Sequence, residues 1–171
     1  MSRPLAIKKE SIIYQDQVDT INKLAFQGAA EMKLVQDLRS NGDLLVSLIA
    51  VYGNDVVGHI AFSRGWIETG QDRIPTVGLG PMAVHPTHQG KGIGSQLIQE
   101  SLLTLKEMGE QHCFVLGHTW FYPKFGFVPA STFTIDSIYQ AGEHFMGQEL
   151  VPGSLQGIRG RFIYSAAFEG L

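Results

Sequence analysis

The chain has 171 residues, 44% of them hydrophobic and 17% charged, and carries a formal net charge of −3 at pH 7. That is enough chain to bury a full core as one domain, and the charge balance gives no general attraction to nucleic acid or an acidic membrane surface. The lone cysteine, Cys113, excludes an internal disulfide. "MSRPLAIKKE" has no apolar signal core and the longest apolar run, "LLVSLIAVY", is far short of the ~20 residues of a membrane span, so a cytoplasmic protein is expected.

"LAIKKESI" reads as a short first strand. Asp16 is placed to cap a helix with Val18, Ile21, Leu24 and Ala25 on one face. A second helix is predicted near residues 30–39, with Leu34, Val35 and Leu38 inward and a stop at Asn41-Gly42. "LLVSLIAVY" and "VVGHIAFS" flank Gly53-Asn54-Asp55, a hairpin signature. "TVGLGPMAV" is the next strand. A helix from Gly92 to about Met108 follows, with Ile93, Leu97, Ile98, Leu102, Leu105 and Met108 on its apolar half. "HCFVLG" reads as a buried strand, "FYPKFGFV" as a short helix or turn entering another strand, and "RFIYSAAF" as a last strand. The order is β-α-α-β-β-β-α-β-α-β and a tail. Hairpin-joined strands ahead of a β-α-β unit predict an α/β (α+β) fold with a mixed sheet.

The densest chemical signal is "GLGPMAVHPTHQGKGIGSQLIQESL", residues 78–102. Gly90, Gly92 and Gly94 alternate where a strand passes into a helix. Glycines allow a sharp turn and close approach of a ligand to the backbone. The first N–H groups of a helix have no partner within it and sit at the positive end of its dipole, so the pattern suits an anion. A plain tight turn fits the spacing as well. A P-loop does not, because no Ser or Thr follows Lys91. "GLGPMA" matches a dinucleotide fingerprint in letters but lies within a strand.

Gln89-Gly90-Lys91-Gly92-Ile93-Gly94 after "MAVHP" resembles the pyrophosphate loop of the GNAT superfamily of N-acetyltransferases, which bind acetyl-CoA. "FYPKFGFVPA", residues 121–130, looks like that superfamily's Tyr-x-x-x-Gly-Phe segment. "AEMKLVQDLRSNGDLLVSLIAVYGNDVVGHIAFS", "VLGHTWFYPKFGFVPAS" and "FMGQELVPGSLQGIRGRFIYSAAF" resemble its YhbS-like branch, so the likeness spans nearly the whole chain. It implies a single GNAT domain over residues 1–171, with 131–171 an extension completing the sheet. It also implies a mixed central sheet with a splayed parallel strand pair, residues 76–84 against about 113–117. Pro81 within the first of these strands independently argues for a bulge or unpaired stretch.

By the same resemblance, the backbone of Met82, Ala83 and Val84 meets the pantetheine arm of acetyl-CoA. Gln89, Gly90, Lys91, Gly92, Ile93, Gly94 and Ser95 meet its pyrophosphate. Acetyl transfer to a primary amine needs a donor to the thioester oxygen and an acid for the leaving thiolate. Tyr122 stands at the family's general-acid position, and a phenol of reference pKa ~10 is protonated at neutral pH. A tyrosine that only packs against CoA fits there too. His118 is the first candidate base, since an imidazole titrates near neutrality; a histidine that orders the loop fits equally. His59 and Glu68 are weaker candidates, and many family members use a water chain.

No zinc-ligand pattern joins His85, His88, His112, Cys113 and His118, so no metal is expected. Cys113, in an apolar run, is read as inert. Phe26, Met32, Trp66, Trp120 and Phe145 are candidates for an acceptor groove. The expected partners are acetyl-CoA and an amine, with no nucleic acid and no membrane; dimers are common in the family. The alternative is a non-catalytic acyl-CoA-binding or regulatory protein on the same fold. The identity of the acceptor is not legible.

Overall fold

A computed structural model describes residues 4–170. The first three residues of the segment read as lacking a signal core, and the final residue of the 1–171 domain, lie outside it. The described chain forms one mixed sheet of nine strands with three α-helices. Strand β1 (Leu5–Lys9) is followed by α1 (Gln15–Phe26) and α2 (Ala30–Asn41). Then come β2 (Leu44–Tyr52), β3 (Asp55–Glu68) and β4 (Arg73–Val84), joined as antiparallel neighbours. Helix α3 (Ile93–Glu107) leads to β5 (His112–Leu116), which pairs parallel with β4. The remaining strands are β6 (Val128–Pro129), β7 (Ile135–Ser137), β8 (Phe145–Glu149) and β9 (Gly160–Ile163).

The helices sort by the faces their apolar residues bury. Val18 and Ile21 of α1 and Val35 of α2 pack on Ile49, Val51, Val56 and Ala83. On the opposite face Ile93, Leu97, Ile98 and Leu105 of α3 pack on Leu48, Val57, Val77 and Val115. Truncating one such leucine to alanine costs about 2–5 kcal/mol against a net stability of about 5–15 kcal/mol. A third cluster, around Phe114, Phe145 and Phe162, joins β5 to the segment beyond residue 130.

Several expectations need correction. Asp16 does not cap α1: the helix begins at Gln15, and Asp16 sits in its first turn, where the dipole still favours a carboxylate. Leu24 is 45% exposed and Met108, just beyond α3, is 48% exposed, so neither belongs to the inward face assigned to it. β3 and β4 continue past the expected ends, to Glu68 and back to Arg73, as one long hairpin. "RFIYSAAF" is a strand only through Ile163, then turns into a 3-10 segment, Ala166–Phe168. β7 and β8 were not expected. β8 lies between β5 and β6, so the strand after the "FYPKFGFV" turn does not pair with β5.

His59, weighed as a base, is fully buried on β3. Its hydrogen bonds fix one neutral tautomer. Asn22 Nδ2 lies 3.0 Å from Nδ1, and Ser47 Oγ lies 2.8 Å from Nε2 while donating to Glu10 Oε2 at 3.0 Å. Nδ1 therefore accepts and Nε2–H donates. Burial, then the charge of Arg39, pushes the imidazole pKa from 6.5 down to about 3. A depressed histidine stabilises the fold above its unfolded pKa and destabilises it as pH falls. Stability should therefore drop between about pH 6.5 and 3, by roughly 1.4 kcal/mol per unit at most. Urea titrations across that window check this: a slope unchanged in His59→Gln would refute it.

Candidate active-site cleft

β4 and β5 pair only from Val77 opposite Cys113 to Leu79 opposite Val115, yet β4 runs on to Val84. On its other edge β4 stays paired with β3. There Ala83 faces His59, and the His85 N–H donates to Val57 O at 2.8 Å. Main-chain groups alternate along a strand, so those of Met82 and Val84 turn into the gap that β5 leaves. The register slips between the pairs Ile60–Met82 and Phe62–Leu79, which makes Gly80-Pro81 a bulge. The interruption expected at Pro81 is thus present.

Tyr164, beyond β9, sits where the strands part. Its hydroxyl donates to Leu79 O at 2.9 Å, and its ring occupies the space left by the missing side chain of Gly78. Phe168 stacks on it at 4.0 Å, and the Tyr164 N–H donates to the Tyr139 hydroxyl at 3.1 Å. Burial raises its pKa, while a backbone contact with Leu116 of β5 opposes that shift. The phenol takes the carbonyl that would otherwise extend the parallel ladder. Tyr164→Phe leaves Leu79 O unpaired, at about 1–3 kcal/mol. Thermal melts should shift down by several degrees and CoA affinity should weaken in calorimetry. Unchanged melts and affinity would show that the hydroxyl does not hold the fork.

The gap opens into a cavity of about 670 Å³. One wall is the free edge of β4. A second is the stretch from Leu116 to Tyr122, and a third comes from α1, α2 and the aromatic segment around Tyr164. Tyr122 opens a 3-10 turn, Tyr122–Phe125, and is 7% exposed. Its ring lies against Gly117, where a Cβ has no room, and meets Phe121 and Phe127 edge-on at 5.2 and 5.8 Å. Burial pushes its phenol pKa up to about 12, so it stays protonated at neutral pH. His118 stands exposed on the lip, with its ring stacked on Trp120 at 5.3 Å.

The glycine loop adjoins the free edge. A 3-10 turn, Pro86–His88, leads into it, and the Gln89 amide donates to Val84 O at 3.1 Å. Gly90 and Gly92 have φ of +76° and +81°, in the left-handed region. Gly92 is the N-cap of α3 and offers no side chain to its opening N–H groups. The first helical bond of the turn runs from Gln96 N to Gly92 O, so the N–H groups of Ile93, Gly94 and Ser95 have no partner within the helix. Gly94 packs on Met82, tying the helix start to β4. The arrangement supplies positive potential at one end of the cleft and unpaired backbone along its side.

Comparison with known proteins bears directly on this geometry. A family model described as "Acetyltransferase (GNAT) domain" matches residues 44–129. The uncharacterized N-acetyltransferase YhbS of Escherichia coli K12 is 32% identical over 166 residues, 96% of this chain and 98% of its own. The chain belongs to the GNAT superfamily of N-acetyltransferases. The crystal structure of E. coli YhbS in complex with CoA superposes with a TM-score of 0.90 at 30% identity, over 98% of this chain and 93% of that one. A GNAT acetyltransferase from Brucella melitensis in complex with acetyl-CoA gives a TM-score of 0.81 at 31% identity, over 98% and 99%.

The GNAT fold brings Met82, Val84, Gln89, His118 and Tyr122 to one cavity; Gly90 to Ser95 follow Gln89 outside its lining, with Gly94 against Met82 and Phe121. Ala83 differs: its side chain is buried toward α1 on the opposite face. Other candidates lie elsewhere. Glu68 and Trp66 are at the far end of β3, paired with Arg73 at 3.5 Å and stacked under it at 5.0 Å. Phe145 is core, stacked on Phe114 at 5.5 Å. Met32 is outside the cavity lining, whereas Phe26 and Trp120 are part of it. Cys113 is fully buried, with its thiol pKa raised by burial. His85 and His88 share the Thr87 hydroxyl, each at 2.9 Å, and among the described residues no group of three or more His, Cys, Asp or Glu is placed to hold a metal. Sequence reasoning missed Glu31, Tyr139, Tyr164 and Phe168, all lining the cleft. No helix among the described residues is long and apolar enough to cross a membrane.

Proposed function

We propose that the chain is a single-domain, cytoplasmic N-acetyltransferase that moves the acetyl group of acetyl-CoA directly to a primary amine. One observation carries this reading: an unpaired strand edge and a buried protonated phenol line one cavity, and the open N-terminus of α3 lies against two of its lining residues, Met82 and Phe121. The turn from Gln89 to Ser95 holds the pyrophosphate, and the main chain from Met82 to Val84 lines the pantetheine arm. The relatives crystallised with CoA and acetyl-CoA support that assignment. The strand edge donates to the thioester oxygen as negative charge builds there. Tyr122 gives its phenolic proton to the departing sulfur. His118, on the lip, takes the proton that the amine loses, directly or through water.

The test follows free thiol release from acetyl-CoA over a panel of amines, with mass detection of the acetylated product. Stabilisation by CoA without release above background for any amine would instead make the chain an acyl-CoA-binding protein. Transfer should survive EDTA, and it should survive Cys113→Ala, because the thiol is buried and held protonated. Loss on chelation that zinc restores, or loss in a well-folded Cys113→Ala, would overturn direct transfer without metal or covalent intermediate.

A further inference from the structure

The half of the cleft that the donor does not need has a composition of its own. It is built from Phe26 at the end of α1, Glu31 and Leu34 on α2, Trp120 on the lip, and Tyr139 and Phe168 from the segment beyond β6. Among the described residues, Glu31 is the one carboxylate in the cavity lining, and no lysine or arginine lines it. No hydrogen bond or ion pair among the described residues engages the Glu31 carboxylate, although other carboxylates nearby in sequence are held. Asp37 pairs with Lys33 at 2.7 Å, and Asp19 with Arg39 at 2.9 Å. Lys124 stands beside the lip, its Nζ 5.9 Å from the Trp120 ring and 5.3 Å from the Phe121 ring, but outside the lining.

Resting on the transferase reading, we infer that the acceptor is a primary amine on a short linker to an aromatic body, with no carboxylate or phosphate of its own. An ammonium entering a cavity with one unpaired carboxylate and several aromatic faces gains from both. Flat apolar rings gain from Phe26, Trp120 and Phe168. A carboxylate or phosphate on the acceptor would be desolvated beside Glu31 with no cation to meet it. In the reaction the bound ammonium first gives one proton to His118 or water, its nitrogen then bonds the acetyl carbon, and the carbon–sulfur bond breaks. The sulfur leaves with the proton from Tyr122, and the second proton that the nitrogen sheds on becoming an amide restores the Tyr122 phenol.

The experiment compares matched acceptors with acetyl-CoA: 2-phenylethylamine, its carboxylated counterpart phenylalanine, butylamine, and phosphoethanolamine. 2-Phenylethylamine should exceed phenylalanine and phosphoethanolamine in kcat/KM by about 10²-fold or more, and butylamine by a smaller factor. Glu31→Gln should raise KM for 2-phenylethylamine by about tenfold, with little change in kcat or in the acetyl-CoA dissociation constant. Trp120→Ala should narrow the gap between 2-phenylethylamine and butylamine. A preference for the carboxylated or phosphorylated acceptor, or an unchanged KM in Glu31→Gln, would overturn the acceptor class. If another amine reacts and 2-phenylethylamine does not, the class fails while the transferase reading stands. If acetyl-CoA does not bind, or no amine of any kind is acetylated, the transferase reading itself fails.

Discussion

Tyr122→Phe should lower kcat by ~10²–10⁴, the range of a lost general acid, and leave CoA affinity nearly unchanged. The phenylalanine ring keeps the contacts with Gly117, Phe121 and Phe127 that fix the tyrosine. Only the proton donor is removed. The defect should shrink with thioesters whose leaving thiol has a lower pKa, because a better leaving group needs less help. The pH dependence has a definite sign. An acid works while protonated, so its contribution is lost only as pH rises through its pKa. Burial holds that pKa at about 12, two units above the usual phenol. The wild-type rate should therefore show no alkaline fall from this group below about pH 11, and the defect of the variant should be constant across the ordinary assay range. Single-turnover measurement separates chemistry from product release. Near-normal acetyl transfer in Tyr122→Phe would make the residue a wall of the cleft and no more.

Gly92→Val should weaken CoA binding by about 10²-fold or more, equivalent to losing two hydrogen bonds to a charged phosphate. Gly92 has φ +81° with open space around it, so the obstacle is conformation and not crowding. A β-branched residue is strongly disfavoured in the left-handed region. The loop would have to change shape, and the N–H groups of Ile93, Gly94 and Ser95 would lose their common aim. The fold supplies its own control. Gly109, at the other end of α3, has φ +84° and equally open space. Gly109→Val carries the same strain and should lower stability without touching affinity. Gly94→Ala should be mild, since its φ is ordinary and the new Cβ would meet the flexible end of Met82 at 3.4 Å and Phe121 at an ordinary 3.7 Å. Calorimetry giving equal CoA affinity for wild type and Gly92→Val would remove the loop from the site.

The parts of the molecule legible in the sequence are those specified by local rules. α2 and its stop at Gly42 follow from 3.6-residue periodicity and a left-handed glycine. The bulge at Gly80-Pro81 follows from a proline that has no N–H to offer a ladder. The glycine loop follows from backbone positions that only glycine fills well. What was not legible depends on partners distant in the chain. β8 has only five residues, and it becomes a central strand because β5 and β6 offer it two edges. The unbroken look of "RFIYSAAF" concealed that the strand stops at Ile163; Tyr164 keeps the inward face of Phe162, and its hydroxyl finds Leu79 O, a partner far off in the chain. His59 looked like any histidine on a hairpin strand. Its neutral, locked state comes from Asn22, Ser47 and Glu10, on three other segments.

The hydrogen bond from Tyr164 to Leu79 also sets an order of events during synthesis. The two residues are 85 positions apart. Both strands of the fork, and the helix between them, can be complete on a growing chain while the tyrosine is still to be made. In that interval Leu79 O has no phenol to occupy it, and the bulge at Gly80-Pro81 is left to limit pairing between β4 and β5. Closing so long a segment is a slow, non-local step compared with forming the β3–β4 hairpin. The wall of the cleft that Tyr164 and Phe168 build thus arrives late, as one event with the docking of their segment. A partly made chain would carry the glycine loop and Tyr122 before that wall is in place.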